Sequence, residues 1–193
     1  METIETDRLR LRNFRVDDAE GLLEYVREPR ARCFLSLELA DPAAAKAEAA
    51  RRGSSDENVA IALAGTDDLI GDLFAVHEEP DTYSVGWNLN ADHADAGFAL
   101  KAAQALFRHL FDDRGARRLY AYVEVDNAPS RGLCERLGMR LEGTFVEFVT
   151  FTDGPDGMPV YEDTIQYAIP RREWDVVDRA PAAGGPSRFR DEP

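Results

Sequence analysis

The chain has 193 residues, near the usual size of one domain, and its 44% hydrophobic content is enough for one continuous core. Its 37 acidic against 23 basic residues give a formal net charge of -14, a field that repels nucleic-acid phosphates and attracts cationic partners. No window approaches the ~20 apolar residues of a membrane span, and METIETDRLRLR has no apolar secretory core, so a soluble cytoplasmic protein without nucleic-acid or membrane partners is expected. Solubility alone is the plainer account of the same charge. Cys33 and Cys134 have no metal-type spacing and are too few for a disulfide framework, so both are read as reduced thiols.

In chain order, residues 7–14 alternate Leu9, Leu11 and Phe14 with arginines, a half-buried strand pattern. Asp17 or Asp18 then caps a helix whose apolar face carries Leu22, Leu23 and Val26. A second helix is predicted over 42–52, begun by Pro42, built from alanines and ended by Gly53-Ser54-Ser55. Three strands follow at 58–64, 69–77 and 82–89, separated by the turn residues Gly65-Thr66-Asp67-Asp68 and Glu79-Pro80-Asp81.

From Phe98 the period becomes helical, with Ala102, Ala103, Leu106, Phe107 and Leu110 on one stripe. A strand at 118–125 leads to a helix near 128–137, with Pro129 in its first turn and Gly138 at its C-cap. Residues 143–152 and 159–168 form a last hairpin around DGPDGMP, and a short helix over 171–177 closes the fold. The aromatic hairpin residues Phe145, Phe148, Phe151 and Tyr161 are candidates for a homodimer surface, although such residues on strands usually face their own core. One domain over 1–179 is expected, with a disordered tail over 180–193, and the element order predicts one mixed α/β sheet with helices on both faces.

The chemically informative stretch is NLNADHADAGFALKAAQAL, a strand end, a loop with Gly97 and a helix start. The first amides of a helix lack partners and carry the positive end of the macrodipole, so a diphosphate can dock there when a glycine lets the backbone approach. Turn geometry alone also accounts for such a glycine.

Downstream stands YVEVDNAPSRGLCERLGMRLEG. Together with the opening Thr6-Asp7-Arg8-Leu9-Arg10-Leu11-Arg12, with Val85-Gly86-Trp87, Asn127-x-x-Ser130, Leu137-Gly138-Met139, Glu142-Gly143 and Glu173-Trp174, it resembles the GNAT superfamily from Thr6 to Trp174. The resemblance is to the branch of ribosomal-protein-alanine N-acetyltransferases. It implies a mostly antiparallel, splayed sheet and acetyl-CoA-dependent transfer of an acetyl group to a primary amine, either a protein N-terminus or a small cationic amine. Acetyl-CoA serves as co-substrate, and no metal is called for.

By the same resemblance, Ala94-Asp95-Ala96-Gly97-Phe98-Ala99 corresponds to the pyrophosphate loop, with Gly97 and Ala99 matching. Ala94 replaces the usual Gln or Arg, and Asp95 stands where a small or basic residue is common. The backbone of Trp87, Asn88 and Leu89 corresponds to the contacts with the pantetheine arm, Asn127 to a cofactor-contacting asparagine, and Ser130 to the hydroxyl that protonates the leaving thiolate. Asn127 as a helix cap with Ser130 in the first turn is the structural alternative.

Some members carry a base where Ser84 stands, so Glu124 is the expected substitute through a water, with Glu78 and Glu79 behind it. Cys134 falls where other branches place a tyrosine acid, but its helix-face spacing assigns it to the core. His77, His93 and His109 are scattered and form no metal set. The alternative function is a non-catalytic acyl-CoA-binding regulatory or interaction module, which Ala94, Asp95 and Ser84 favour.

Overall fold

The computed structural model describes residues 1–27, 39, 41–94 and 96–179. The expectations for Cys33, Asp95 and the tail at 180–193 lie outside the described residues.

Eight strands form one sheet in the order β1-β2-β3-β4-β5-β6-β8-β7. They are β1 (Ile4–Glu5), β2 (Leu9–Asn13), β3 (Asn58–Leu63), β4 (Leu69–Glu78), β5 (Thr82–Leu89), β6 (Arg118–Glu124), β7 (Arg140–Asp153) and β8 (Pro159–Pro170). Every pairing is antiparallel except β5 with β6. Five helices accompany them: α1 (Ala19–Arg27), α2 (Pro42–Gly53), α3 (Phe98–Asp112), α4 (Ala128–Arg136) and α5 (Arg171–Arg179).

Strand alternation sends Leu11, Val59, Ile61, Leu73, Val85, Leu119 and Ile165 to one face, where they bury Leu106, Phe107 and Phe111 of α3 and Leu133 and Cys134 of α4. Trp174 fixes α5 onto this core by stacking on Phe111 at 5.7 Å and meeting Phe107 edge-on at 5.8 Å. The opposite face carries a smaller core of Phe14, Leu22, Tyr25, Val26, Ala45, Ala49, Ala60 and Leu69 beneath α1 and α2.

Local chemistry explains the helix starts. Asp41 accepts from the amides of Ala43 and Ala44 at 2.9 Å, with Pro42 in the first turn of α2. The expected cap on α1 takes another form. Val16–Asp18 is a 3-10 turn, and Asp18 lies inside it, accepting from the Arg15 amide at 2.7 Å and from both terminal nitrogens of Arg12 at 2.8 Å. The buried arginine recruits the carboxylate, so α1 begins only at Ala19.

A second buried polar group joins both helices to the sheet. Asp72 on β4 accepts from the Tyr25 hydroxyl at 2.7 Å, and Arg52 of α2 lies 3.1 Å away in an ion pair without hydrogen-bond alignment. Arg52 Nε also donates to Glu48 at 2.8 Å. Burial pushes both the Tyr25 hydroxyl and the Asp72 carboxyl above their usual ranges.

In the last hairpin the usual rule that strand aromatics face their own core does not hold. Phe145, Phe148 and Tyr161 are exposed and Phe151 is only half-buried, so these rings do not face the protein's own core. β7 and β8 lie at the sheet edge away from α1 and α2, and among the described residues neither helix packs closely on the hairpin.

Candidate active site

The central feature is an opening between two parallel strands. β5 pairs with β6 only through Thr82–Arg118, Tyr83–Leu119 and Ser84–Tyr120. Beyond Ser84 the two diverge, because β5 stays with β4 as far as Leu89 while β6 stays with β8 as far as Glu124. Residues 85–89 therefore face 121–124 across a gap in which neither strand completes its ladder with the other. Trp87 and Leu89 pack toward the α3 core, whereas Asn88 is buried on the opposite face beside its register partner Asp72, and its Nδ2 lacks a hydrogen-bond partner.

β5 delivers the chain through a short turn, Ala91–His93, to the start of α3. Gly97 caps that helix at φ 76°, ψ 10°, a left-handed conformation in which glycine is unstrained. No side chain caps this end, and the first return bond runs from the Lys101 amide to the Gly97 carbonyl, so the amides of Phe98, Ala99 and Leu100 have no intrahelical acceptor. Ala94 and Ala96 flank Asp95 in this loop, and neither offers a cation.

The positive charge comes instead from the turn before β2. Arg8 donates to the Ala96 carbonyl at 3.1 Å, and its guanidinium lies 4.8 Å from the centre of the Phe98 ring. Lys101, one turn into α3, pairs with Asp7 at 2.6 Å, and that contact holds the Asp7 carboxyl below its ordinary value. Arg8 belongs to the opening motif but lies 88 residues from Ala96, so the loop sequence gives no sign of it.

Across the gap, Asn127 caps α4 by accepting from the Ser130 amide at 3.1 Å, and its Nδ2 donates to Glu124 at 2.8 Å. The helix-cap reading of Asn127 thus holds, with one amide hydrogen and one lone pair to spare. Ser130 Oγ accepts from Trp87 Nε1 at 3.3 Å, a contact that ties the start of α4 to β5. An indole nitrogen only donates, so this bond uses an oxygen lone pair and leaves the Ser130 hydrogen free to be given elsewhere.

A third group was not singled out as a unit in the sequence. The Tyr120 hydroxyl donates to Glu78 at 2.6 Å, and Tyr120 pairs in register with Ser84 at the last rung before the strands part. Burial first, and then the Glu78 hydrogen bond, raise the Tyr120 phenol above its usual range, while Ser84 pulls the other way. Glu78, at the end of β4, thus stands on the same face of the sheet as Ser84 and Tyr120. Glu124, the expected base, is buried and engaged by Asn127.

The remaining candidates are structural. Cys134 is fully buried, and burial pushes its thiol up to about 12, which suits a core residue and not an acid at neutral pH. His77 packs on Tyr83, His93 on Phe98, and His109 contacts Asp113. Among the described residues no group of three or more His, Cys, Asp or Glu side chains is arranged to hold a metal, and no helix is long and apolar enough to cross a membrane.

Known proteins share the sequence pattern and the fold. A sequence profile of the acetyltransferase (GNAT) domain matches residues 8–140, well over half of the chain. YnaD, an uncharacterized N-acetyltransferase of Bacillus subtilis (strain 168), is 30% identical over 173 residues, covering 89% of this chain and 98% of that protein. Among solved structures, a GNAT-family acetyltransferase from Bacillus anthracis superposes with a TM-score of 0.79 at 25% identity, over 89% of this chain and all of that one. The ribosomal-protein-S5-alanine acetyltransferase from Vibrio fischeri shares the fold at a TM-score of 0.70 and 16% identity, over 90% and 99% of the two chains. The chain belongs to the GNAT acetyltransferase family and is an acyltransferase.

Proposed function

We propose that the protein transfers an acetyl group from acetyl-CoA directly to a primary amine. The observation that carries this reading is the opening between residues 85–89 and 121–124, which runs toward three unpaired amides at the start of α3. The residues fit the co-substrate. Gly97 has no Cβ, and one built there would approach only the Arg8 guanidinium, at 3.8 Å, so the backbone is open to a diphosphate. The amides of Phe98, Ala99 and Leu100 would hold that group, with Arg8 supplying the charge that Ala94 lacks. The unpaired edges of Trp87, Asn88 and Leu89 would hydrogen-bond the amides of the pantetheine arm, and Asn127 would add its spare donor. Asp95 belongs to the same loop by sequence.

Acetyl-CoA would supply the activated thioester carbonyl. Ser130, one lone pair taken by Trp87, donates its hydrogen to the departing thiolate. Glu78, oriented by the Tyr120 hydroxyl, takes the proton that the acceptor ammonium must lose. Glu124 acts as a positioning residue that holds Asn127 at the head of α4. Direct transfer needs no covalent enzyme intermediate.

A thiol-release assay over a panel of primary amines tests the reading, with Ser130→Ala compared to the unaltered protein. Turnover should fall about 100-fold or more, with acetyl-CoA affinity changing less than about threefold. Equal turnover would leave Ser130 a structural residue of the first turn of α4, and no thiol release with any amine would count against direct transfer.

A further inference from the structure

The rings left uncovered on the last hairpin form a continuous group with the Glu78–Tyr120 pair. Tyr120 meets Tyr122 edge-on at 5.4 Å, Tyr122 meets Phe145 edge-on at 5.8 Å and lies 5.5 Å from Phe148, and the two phenylalanines are 4.9 Å apart. Tyr122, Phe145 and Phe148 are 44%, 37% and 47% exposed, which is unusual for adjacent aromatic side chains of a monomer.

The cluster depends on a local distortion. Phe145 and Phe148 are three residues apart on one strand, and regular alternation would send them to opposite faces. The register of β7 shifts between Phe145 and Val149, where Glu147 takes φ 50°, a left-handed value unfavourable for a residue with a side chain. Asp163 on β8 accepts from the Glu147 amide at 2.8 Å and pins the bulge. Bulges of this kind re-aim side chains, and this one brings both phenylalanines to Tyr122.

We infer that this aromatic wall is the acceptor subsite, and that it binds the acceptor as a cation before transfer; the inference rests on the acetyltransfer reading above. The rings pack edge to face at 77° and 81°, and Tyr122 and Phe148 keep exposed surface over which an ammonium is attracted by the ring quadrupole. The charge around them matches. The hairpin carries Glu142, Glu147, Asp153, Asp156, Glu162 and Asp163 against the single arginine Arg140, which pairs with Glu142 and Glu173. A second copy of the chain docked here through the same face would set like charges against each other, whereas a cationic amine complements them. The wall continues through Tyr120 to Glu78, the group assigned to take the proton.

Ring resonances in NMR, followed during titration with choline and with its neutral isostere 3,3-dimethyl-1-butanol, test the inference without requiring turnover. Choline should shift the Tyr122 and Phe148 signals and the alcohol should not. Tyr122→Leu and Phe148→Leu should each weaken choline roughly two- to fivefold and leave acetyl-CoA affinity unchanged. Equal responses to both probes, no response to either, or a dimer that Phe148→Leu dissociates would overturn the cation subsite. Acetyl-CoA calorimetry on the same samples separates the two readings, because failure there removes the transfer reaction and leaves the choline result standing.

Discussion

Asp72→Asn removes one charge from a site that is almost closed to water. Asparagine keeps the volume and an acceptor for the Tyr25 hydroxyl, so the change falls on Arg52, 3.1 Å away and 5% exposed. Removing one partner of a buried ion pair costs about 3–5 kcal/mol, since the remaining charge is left in a poor solvent. Arg52 keeps Glu48 at 2.8 Å, which sets the variant at the lower end, about 3 kcal/mol. In a chain of this length each kcal/mol moves the melting temperature by about 2–4 °C, so a fall of about 6–12 °C is expected. Tyr25→Phe removes one hydrogen bond and should lower it by less, and the double variant should fall short of the sum because both residues meet at Asp72. Thermal unfolding followed by circular dichroism at pH 7 gives all three values. An Asp72→Asn shift within about 2 °C, or a larger fall for Tyr25→Phe, would refute the assignment of α1 and α2 to this buried pair.

Arg8→Ala should weaken acetyl-CoA about fivefold, the equivalent of roughly 1 kcal/mol for an exposed charge-assisted contact, with little effect on melting temperature; unchanged affinity would remove Arg8 from the phosphate site. Acid should destabilise the fold in a defined window. Hydrogen bonding to Arg51 foremost holds Glu48 at about 2, and Asp67 is also held at about 2 because Arg10 and Arg12 outweigh its partial burial. Carboxyls lowered from their usual 4.5 and 3.8 stabilise the fold fully above those values and lose that contribution as pH falls through about 2. Melting temperature should therefore decline from about pH 4.5 downward, and Glu48→Gln should flatten part of the decline; an unchanged slope in the variant would contradict the role of Glu48.

The long elements were legible because turn residues or a sustained period mark them. The turn clusters at 65–68 and 79–81 bounded the strands at 58–64, 69–77 and 82–89, and the helical stripe from Phe98 gave a helix, all close to their observed limits. β1 spans two residues and has no period to read. Within the site, the glycine cap of α3, the Asn127 cap and Ser130 were visible because each acts within a few residues of its own helix start. Partners brought together by the fold were not. Arg8 reaches Ala96 across 88 residues, and Tyr120 reaches Glu78 across 42. The bulge at Glu147 was not legible because a glutamate gives no sign of a left-handed backbone, and with it went the meeting of Phe145 and Phe148 on one face.

Isothermal titration of the full chain with acetyl-CoA bears most directly on the account. The open amides ahead of α3 and the parted strands β5 and β6 predict a saturable, one-to-one isotherm that Gly97→Val weakens sharply by filling the cradle and straining its left-handed backbone. No binding heat at millimolar acetyl-CoA, or an affinity that Gly97→Val leaves intact in the folded protein, would contradict it.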